Sequence, residues 1–407
     1  MDIIPRDLYL KRITPYIDKP LVKVISGTRR CGKSTILKLL RRYLLAKGAA
    51  PEQIIYINKE SLQFEEVRSY RDLYTYFENA EALLLKKRKR YLFVDEVQEI
   101  EGWERTIASL LAEGRADIYI TGSNARLLSS ELATLLTGRY VEIAVYPLSF
   151  AEFVSFQKSI APDTASIQDL FPLYLRFGGF PGLHSLALHD QVVFPYLDSL
   201  FDSILLKDVV QRYNLREPAQ LERIVRFLFD NCGNVTTAKR ISDYLKSQRS
   251  PLSVTRVQNY LSYLEHAFLL YRVPRFDLKG LRFLELYDKY YVGDIGLRHG
   301  LIGYRDGDIG GLLENVVYLE LLTRGYAVSI GKLGDREVDF IAQREKERLY
   351  IQVTYLLADE TTRLREFSVL QLIEDSYPKL VLSMDSIYPE DTQGIRWMNL
   401  LDWLMEG

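Results

Sequence analysis

The residues best placed to do chemistry lie in "SGTRRCGKST", where Gly27-x-x-x-x-Gly32-Lys33-Ser34 has the spacing of a phosphate-binding loop. Its two glycines let the backbone turn N–H groups inward onto phosphate oxygens. Lys33 brings a point charge to the β- and γ-phosphates of ATP, and the Ser34 hydroxyl is placed to ligate Mg2+. The expected cradle is the whole loop: Gly27, Thr28, Arg29, Arg30, Cys31, Gly32, Lys33, Ser34 and Thr35. Within it, Arg29 and Arg30 read either as phosphate contacts or as solvent-facing charges. The pair Asp95-Glu96 supplies carboxylates, Asp95 to hold the metal through water and Glu96 to polarise the attacking water as general base. An acidic turn by itself is common; beside a phosphate loop it argues for hydrolysis.

Two further positions have both a chemical and a bland reading. In Thr121-Gly122-Ser123-Asn124, Ser123 or Asn124 could reach between Glu96 and the γ-phosphate, or could cap a helix read over 125–136. Arg139, after Gly138, is either a finger onto a neighbouring copy's nucleotide or a surface arginine ahead of a strand.

These groups need a frame. The loop follows an apolar strand, Leu21 to Ile25, and precedes a strongly helical segment whose N-terminal dipole also favours phosphate. Asp95 ends the apolar run that starts at Tyr91. With segments at 54–57, 118–121 and 141–145 alternating with helical patterns, the expectation is a parallel α/β sheet with its ligand at the strands' carboxyl ends.

At 407 residues the chain is long for one domain, and two or three are expected. Hydrophobic residues at 47% and charged residues at 26% fit a soluble globular protein with ample core. A net charge of −1 makes no case for a nucleic-acid partner, so any such binding needs a local patch. Two cysteines, Cys31 and Cys232, are too few for a disulfide framework or a zinc site. The opening "MDIIPRDLYLKRI" lacks the apolar stretch of a signal peptide, and no run reaches the ~18 apolar residues of a membrane span. The reading is a cytoplasmic protein with no membrane partner.

Four regions are expected: an ATPase domain over 1–150, a helical lid and linker over 151–214, a winged helix-turn-helix over 215–285, and an α/β domain over 286–407. "FGGFPGL" reads as a bend before a long helix, Val192–Tyr213. In the third region, Thr236 and Ser253 (or Ser250) are candidate caps for helices joined by a Ser/Pro-rich turn. DNA contact through the segment Thr255–Phe268 rests chiefly on Arg256, with Arg240, Lys246 and Arg249 as phosphate ligands; the alternative is a module for protein contact. In the last region, "REVDFIAQREKERLYIQVTY" alternates as two strands that put Asp339, Gln352 and Thr354 on one polar face.

"GTRRCGKST", "LFVDEVQ", "TGSNARLL", "GRYVEIAVYPLSFAEF" and "FGGFPGL" together resemble the prokaryotic AAA-type ATPases that carry a C-terminal domain of unknown function, relatives of the archaeal ATPases. The match extends over nearly the whole chain. The resemblance implies an ATPase using ATP and Mg2+, with oligomerisation open. It also implies a C-terminal fold similar to PD-(D/E)xK nucleases, with Glu314 as the helix acid and Asp339 as the strand acid. The remaining acid and lysine of that pattern fall on Gln352 and Thr354. A threonine cannot replace an ammonium ion, so the expectation is a nuclease-like domain that does not cut, unless Lys332 substitutes from the neighbouring turn. Two alternatives to a turning-over ATPase stay open: a slow ATP-gated signalling switch, and an ATP-regulated nuclease.

Overall fold

Valine, isoleucine and aromatic residues dominate the five runs that form the first sheet: β1 Val22–Ser26, β2 Ile54–Asn58, β3 Tyr91–Asp95, β4 Asp117–Gly122 and β5 Tyr140–Ala144. The computed structural model describes residues 3–82, 89–125, 135–136, 138–161, 166–284, 286–357, 360–387 and 394–406. They fall into two compact units, Met1–Val145 and Tyr146–Gly407.

In the first unit the strand order is β2-β3-β4-β1-β5, and every pairing is parallel. Every residue of β1, β3 and β4 is buried, as parallel strands covered on both faces require. Val22, Val24, Val94 and Ile120 pack on one face with Trp103, Ile107 and Leu110 of the helix Trp103–Ala112. Ile25, Phe93 and Tyr119 pack on the other with Ile36, Leu37 and Leu40 of the helix Lys33–Ala46. Each such fully buried side chain contributes about 1.5–3 kcal/mol. Because the strands run parallel, their carboxyl ends meet on one edge: Asn58 lies opposite Asp95, and Ser26 opposite Gly122 and Ala144. The helix read over 125–136 lies, apart from its ends, outside the described residues.

The second unit begins with helices Phe150–Ile160 and Ile167–Phe177, closed by capping boxes of Ser149 with Glu152 and Ser166 with Asp169. The long helix expected at Val192–Tyr213 starts at Asp190 and changes at Ile204 to a π-helix that runs to Gln211. Wider winding leaves no mark in a 3.6-residue periodicity, so the sequence reading missed it. "FGGFPGL" is more than a bend. A Cβ on Gly178 would sit 2.2 Å from Asp294 Oδ1, and the Gly179 N–H donates to Asp294 Oδ2 at 2.7 Å. Asp294 also caps the helix Ile295–Ile302.

Next come β6 Val235–Thr236, β7 Leu270–Val273, β8 Arg275–Asp277, β9 Arg282–Phe283 and β10 Asp288–Val292. The last strands are β11 Ala327–Leu333, β12 Arg336–Arg344, β13 Glu347–Val353, β14 Lys379–Ser383 and β15 Arg396–Asn399. Antiparallel β6-β10-β7 forms a small sheet beside the helices Pro218–Asp230, Ala238–Ser247 and Val254–His266. Ser253 caps the third of these helices as expected, accepting from Arg256 N. The second is capped by Thr237 instead of Thr236, because Thr236 is paired in β6. The remaining strands form the order β15-β14-β13-β12-β11-β8-β9, with helices Ile309–Thr323 and Glu360–Gln371 packed against it. The boundary expected at 285/286 runs through this arrangement: β8 and β9 join the larger sheet, whereas β10 pairs in the smaller one.

Candidate functional site

The loop after β1 is shaped by what surrounds it. Gly27 has φ +149°, and a Cβ there would lie 2.2 Å from the Val145 carbonyl oxygen, so no other residue fits. Gly32, at φ +107°, turns the chain into the helix Lys33–Ala46. Inside the turn Lys33 is buried, donating to the Gly27 and Thr28 carbonyls at 3.0 and 2.9 Å and lying 3.7 Å from Glu96 Oε1. Cys31 is buried, its Sγ 3.3 Å from the Val145 oxygen, whereas Arg30 is exposed. Arg29 pairs with Glu60 at 3.6 Å and also lowers Glu96 electrostatically. Thr28 Oγ1 is buried with no partner among the described residues; Thr35 is half-buried.

Asp95 closes β3 and gathers three hydroxyls. Ser34 Oγ and Thr121 Oγ1 donate to its Oδ1 at 3.1 and 2.5 Å, and the Tyr56 hydroxyl donates to Oδ2 at 3.2 Å. Burial pushes the Asp95 carboxyl up, against the pull of those donors. Glu96 is left-handed (φ 55°, ψ 54°), a non-glycine strain of about 1–3 kcal/mol. Its N–H is held by Thr121 Oγ1 at 2.9 Å, and its carboxylate accepts from Gln98 Nε2 and pairs with Ser123. Burial raises the Glu96 carboxyl, but the Lys33 charge, the Gln98 and Ser123 hydrogen bonds and Arg29 outweigh it and hold it below the usual range. Two adjacent acids are thus shifted in opposite directions, Asp95 up and Glu96 down. Asn124 is fully buried beside Ser123.

Arg139 lies elsewhere. Its carbonyl accepts from Val22 N at the amino-terminal start of β1, the end of the sheet opposite the loop, and its exposed guanidinium bonds Leu136 O. It is therefore not brought to the nucleotide loop of its own chain. The sequence reading also missed Tyr56, Thr121 and Gln98. Tyr56 and Thr121 reach Asp95 only because β2 and β4 flank β3, an order that no local pattern encodes. Gln98 stands inside the quoted "LFVDEVQ", and its two-residue offset from Glu96 was the available signal.

Mg2+ fits these residues. A hydroxyl and a carboxylate already share a hydrogen bond at the helix start, and the Thr28 hydroxyl is an orphaned buried oxygen nearby in the loop.

The second unit holds a cleft of about 990 Å3 lined by Glu314, Glu337, Asp339, Gln352, Thr354 and Glu366, among others. Asp339 and Gln352 face each other across β12 and β13: Gln352 Oε1 accepts from Asp339 N at 2.7 Å, and Asp339 Oδ2 accepts from Val353 N at 2.8 Å. Gln352 Nε2 donates to Glu366 at 2.8 Å. Lys332 is not placed here; its charge acts on Asp277. Lys289 of β10, 5% exposed, lies 3.2 Å from Glu314 and 2.8 Å from Glu337, and the lining residue Arg365 lies 2.6 Å from Glu366. Burial and the Glu314 charge push Asp339 far above the usual carboxylate range, against the pull of Lys289. Among the described residues no group of three or more His, Cys, Asp or Glu side chains is arranged to hold a metal ion. Lys289 and Glu366 escaped the sequence reading because neither belongs to the hairpin, whose charge Lys289 offsets and whose Gln352 amide donates to Glu366.

Residues 19–154 match the family described as "AAA domain", and residues 168–308 match a "Domain of unknown function". An uncharacterized protein of Haemophilus influenzae is 38% identical over 99% of both chains, and one of Methanocaldococcus jannaschii is 30% identical over 91% of this chain and 81% of its own. The chain belongs to one family with these two proteins, and within it residues 19–154 form an AAA-type domain. A Walker-type ATPase of Pyrococcus abyssi, 17% identical with a TM-score of 0.52, covers 74% of this chain and 96% of its own, and shares the fold. Among the described residues of this family member, no helix is long and apolar enough to cross a membrane.

Proposed function

We propose that the chain binds and hydrolyses Mg·ATP at the β1 loop, and that its second unit is a ligand-binding module that does not cut nucleic acid. The observation that carries the first part is the convergence of Lys33, Ser34, Asp95 and Glu96 at one end of a parallel sheet. The loop N–H groups and Lys33 would bind the phosphates, with Lys33 leaving the Gly27 and Thr28 carbonyls to do so. Ser34 and Asp95 would hold Mg2+, which when bound would supply Lewis-acid stabilisation of phosphate charge. Glu96, ionised and braced by Gln98 and Ser123, takes the proton of the attacking water. Ser123 thereby acts through Glu96 in this reading. A finger role for Arg139 would require a second copy.

The slow-switch reading draws on the same lysine, since its contacts to two carbonyls and Glu96 must break before nucleotide enters. For the second unit we assign a winged-helix segment and a nuclease-like sheet. The neutral Gln352 and Thr354, with Lys289 already committed to Glu314 and Glu337, argue against cleavage. Arg256 pairs with Glu217 and Lys239 with Asp243, which favours a protein partner over DNA. The test of the nucleotide site is Lys33→Ala. Losing a charged hydrogen-bond donor to phosphate should weaken ATP binding by roughly ten- to a hundredfold in a fluorescent-nucleotide titration. Unchanged affinity would remove Lys33 from the site.

A further inference from the structure

Val97–Glu99 forms a single 3-10 turn that folds the chain back after Glu96, and this turn brings the Gln98 side chain onto the Glu96 carboxylate. The amide must present its NH2 group there, because its oxygen would be repelled by the carboxylate. That choice fixes Gln98 Oε1 on the other arm of the same amide. This oxygen is buried and has no hydrogen-bond partner among the described residues. A buried acceptor left unmatched costs about 1–3 kcal/mol, and a cost of that kind inside a candidate active site calls for a functional reason.

Water attacking a phosphate carries two protons. Glu96 can take one, through the Oε1 that faces Lys33 and so faces the phosphate end of the loop. The second proton also needs an acceptor if the water is to be held in line in a site sheltered from solvent. The neighbouring hydroxyls are committed: Ser34 and Thr121 both donate to Asp95, and Thr121 also receives the Glu96 N–H. Among the described residues Gln98 Oε1 and the loop hydroxyl of Thr28 are buried acceptors without a partner, and of the two only Gln98 is also fixed on the Glu96 carboxylate.

We infer that Gln98 is a water-positioning residue, its Nε2 fixing the Glu96 carboxylate and its Oε1 accepting a hydrogen bond from the attacking water. This rests on the hydrolytic reading of the site. In the step, the water oxygen bonds to the γ-phosphorus while the bond from that phosphorus to the ADP oxygen breaks. One water proton passes to Glu96, and the other, held by Gln98 until attack, stays on the released phosphate.

The test is Gln98→Leu, which keeps the shape and removes both hydrogen bonds. We expect kcat to fall roughly a hundredfold, near the lower end of what a positioned proton acceptor contributes. ATP affinity and melting temperature should stay at wild-type values. The loss should fall on kcat with KM for ATP unchanged, whereas a merely structural glutamine would move both or neither. If Gln98→Leu is unstable, Gln98→Asn, shorter by one methylene, is read the same way. An unchanged kcat in a folded variant, with Glu96→Gln inactive, overturns the role of Gln98 alone. A wild-type chain that neither binds nor hydrolyses ATP overturns this inference and the hydrolytic reading together.

Discussion

A charged side chain under cover needs a reason to be there, and Lys289 has three: Glu314, Glu337 and Asp339. Its ammonium stands where carboxylates from a helix and a strand converge, and it balances charge that would otherwise be costly to bury. Lys289→Met should therefore cost about 3–5 kcal/mol of unfolding free energy, as loss of one partner from a buried ion pair does. Adding Glu314→Gln should restore much of that loss, because it removes the charge left uncompensated. Chemical denaturation of both variants checks this, and additive losses would contradict it. The contrast with the nucleotide loop explains what was legible at this scale. Lys33 and Ser34 are adjacent in sequence and Asp95-Glu96 ends an apolar run, so spacing alone identifies them. Lys289, Glu366, Tyr56 and Thr121 act across sheets whose strand order a one-dimensional pattern does not carry.

Elements raise a different question: why a given segment tolerates no other sequence. The turn "FGGFPGL" was legible as a bend from its glycines and proline, but its partner was not. Gly178 and Gly179 leave room for Asp294, and Gly296 lets the Phe177 carbonyl come within 2.0 Å of where a Cβ would be. The change from α- to π-winding at Ile204 was equally hidden, since both keep an apolar face. The 3-10 segment Pro181–Ser185, which begins within "FGGFPGL", buries His184 against Phe153 and Phe156. Gln157 Nε2 donates to His184 Nδ1 at 3.0 Å, which fits a neutral ring, and burial lowers its pKa to about 4. The unfolded chain then binds the extra proton between pH 6.5 and 4, so the stabilisation present above pH 6.5 is lost as pH falls. The loss is about 2 kcal/mol by pH 5. Melts at pH 7 and pH 5 should show a smaller acid penalty in His184→Phe than in the wild type. An equal penalty would mean that the ring is charged in the fold.

For the whole molecule, the strongest constraint is that sequence similarity to a relative runs through both units. The relative in Haemophilus influenzae aligns with both units at 38% identity, so the second unit is part of the family's design and not an appendage. A net charge of −1 gives the chain no general attraction to nucleic acid, and Arg256, the chief expected DNA contact, pairs with Glu217. The account makes the first unit the energy-using part and the second the part that recognises a partner. Its central claim is that Glu96 is the base and takes no part in holding the nucleotide. Steady-state phosphate release and nucleotide affinity, measured side by side for the wild type and Glu96→Gln, test it most directly. The account predicts ATP binding within about twofold of wild type and turnover reduced at least about a hundredfold, because the amide keeps the shape and cannot take the proton. Turnover at the wild-type rate in Glu96→Gln would contradict it.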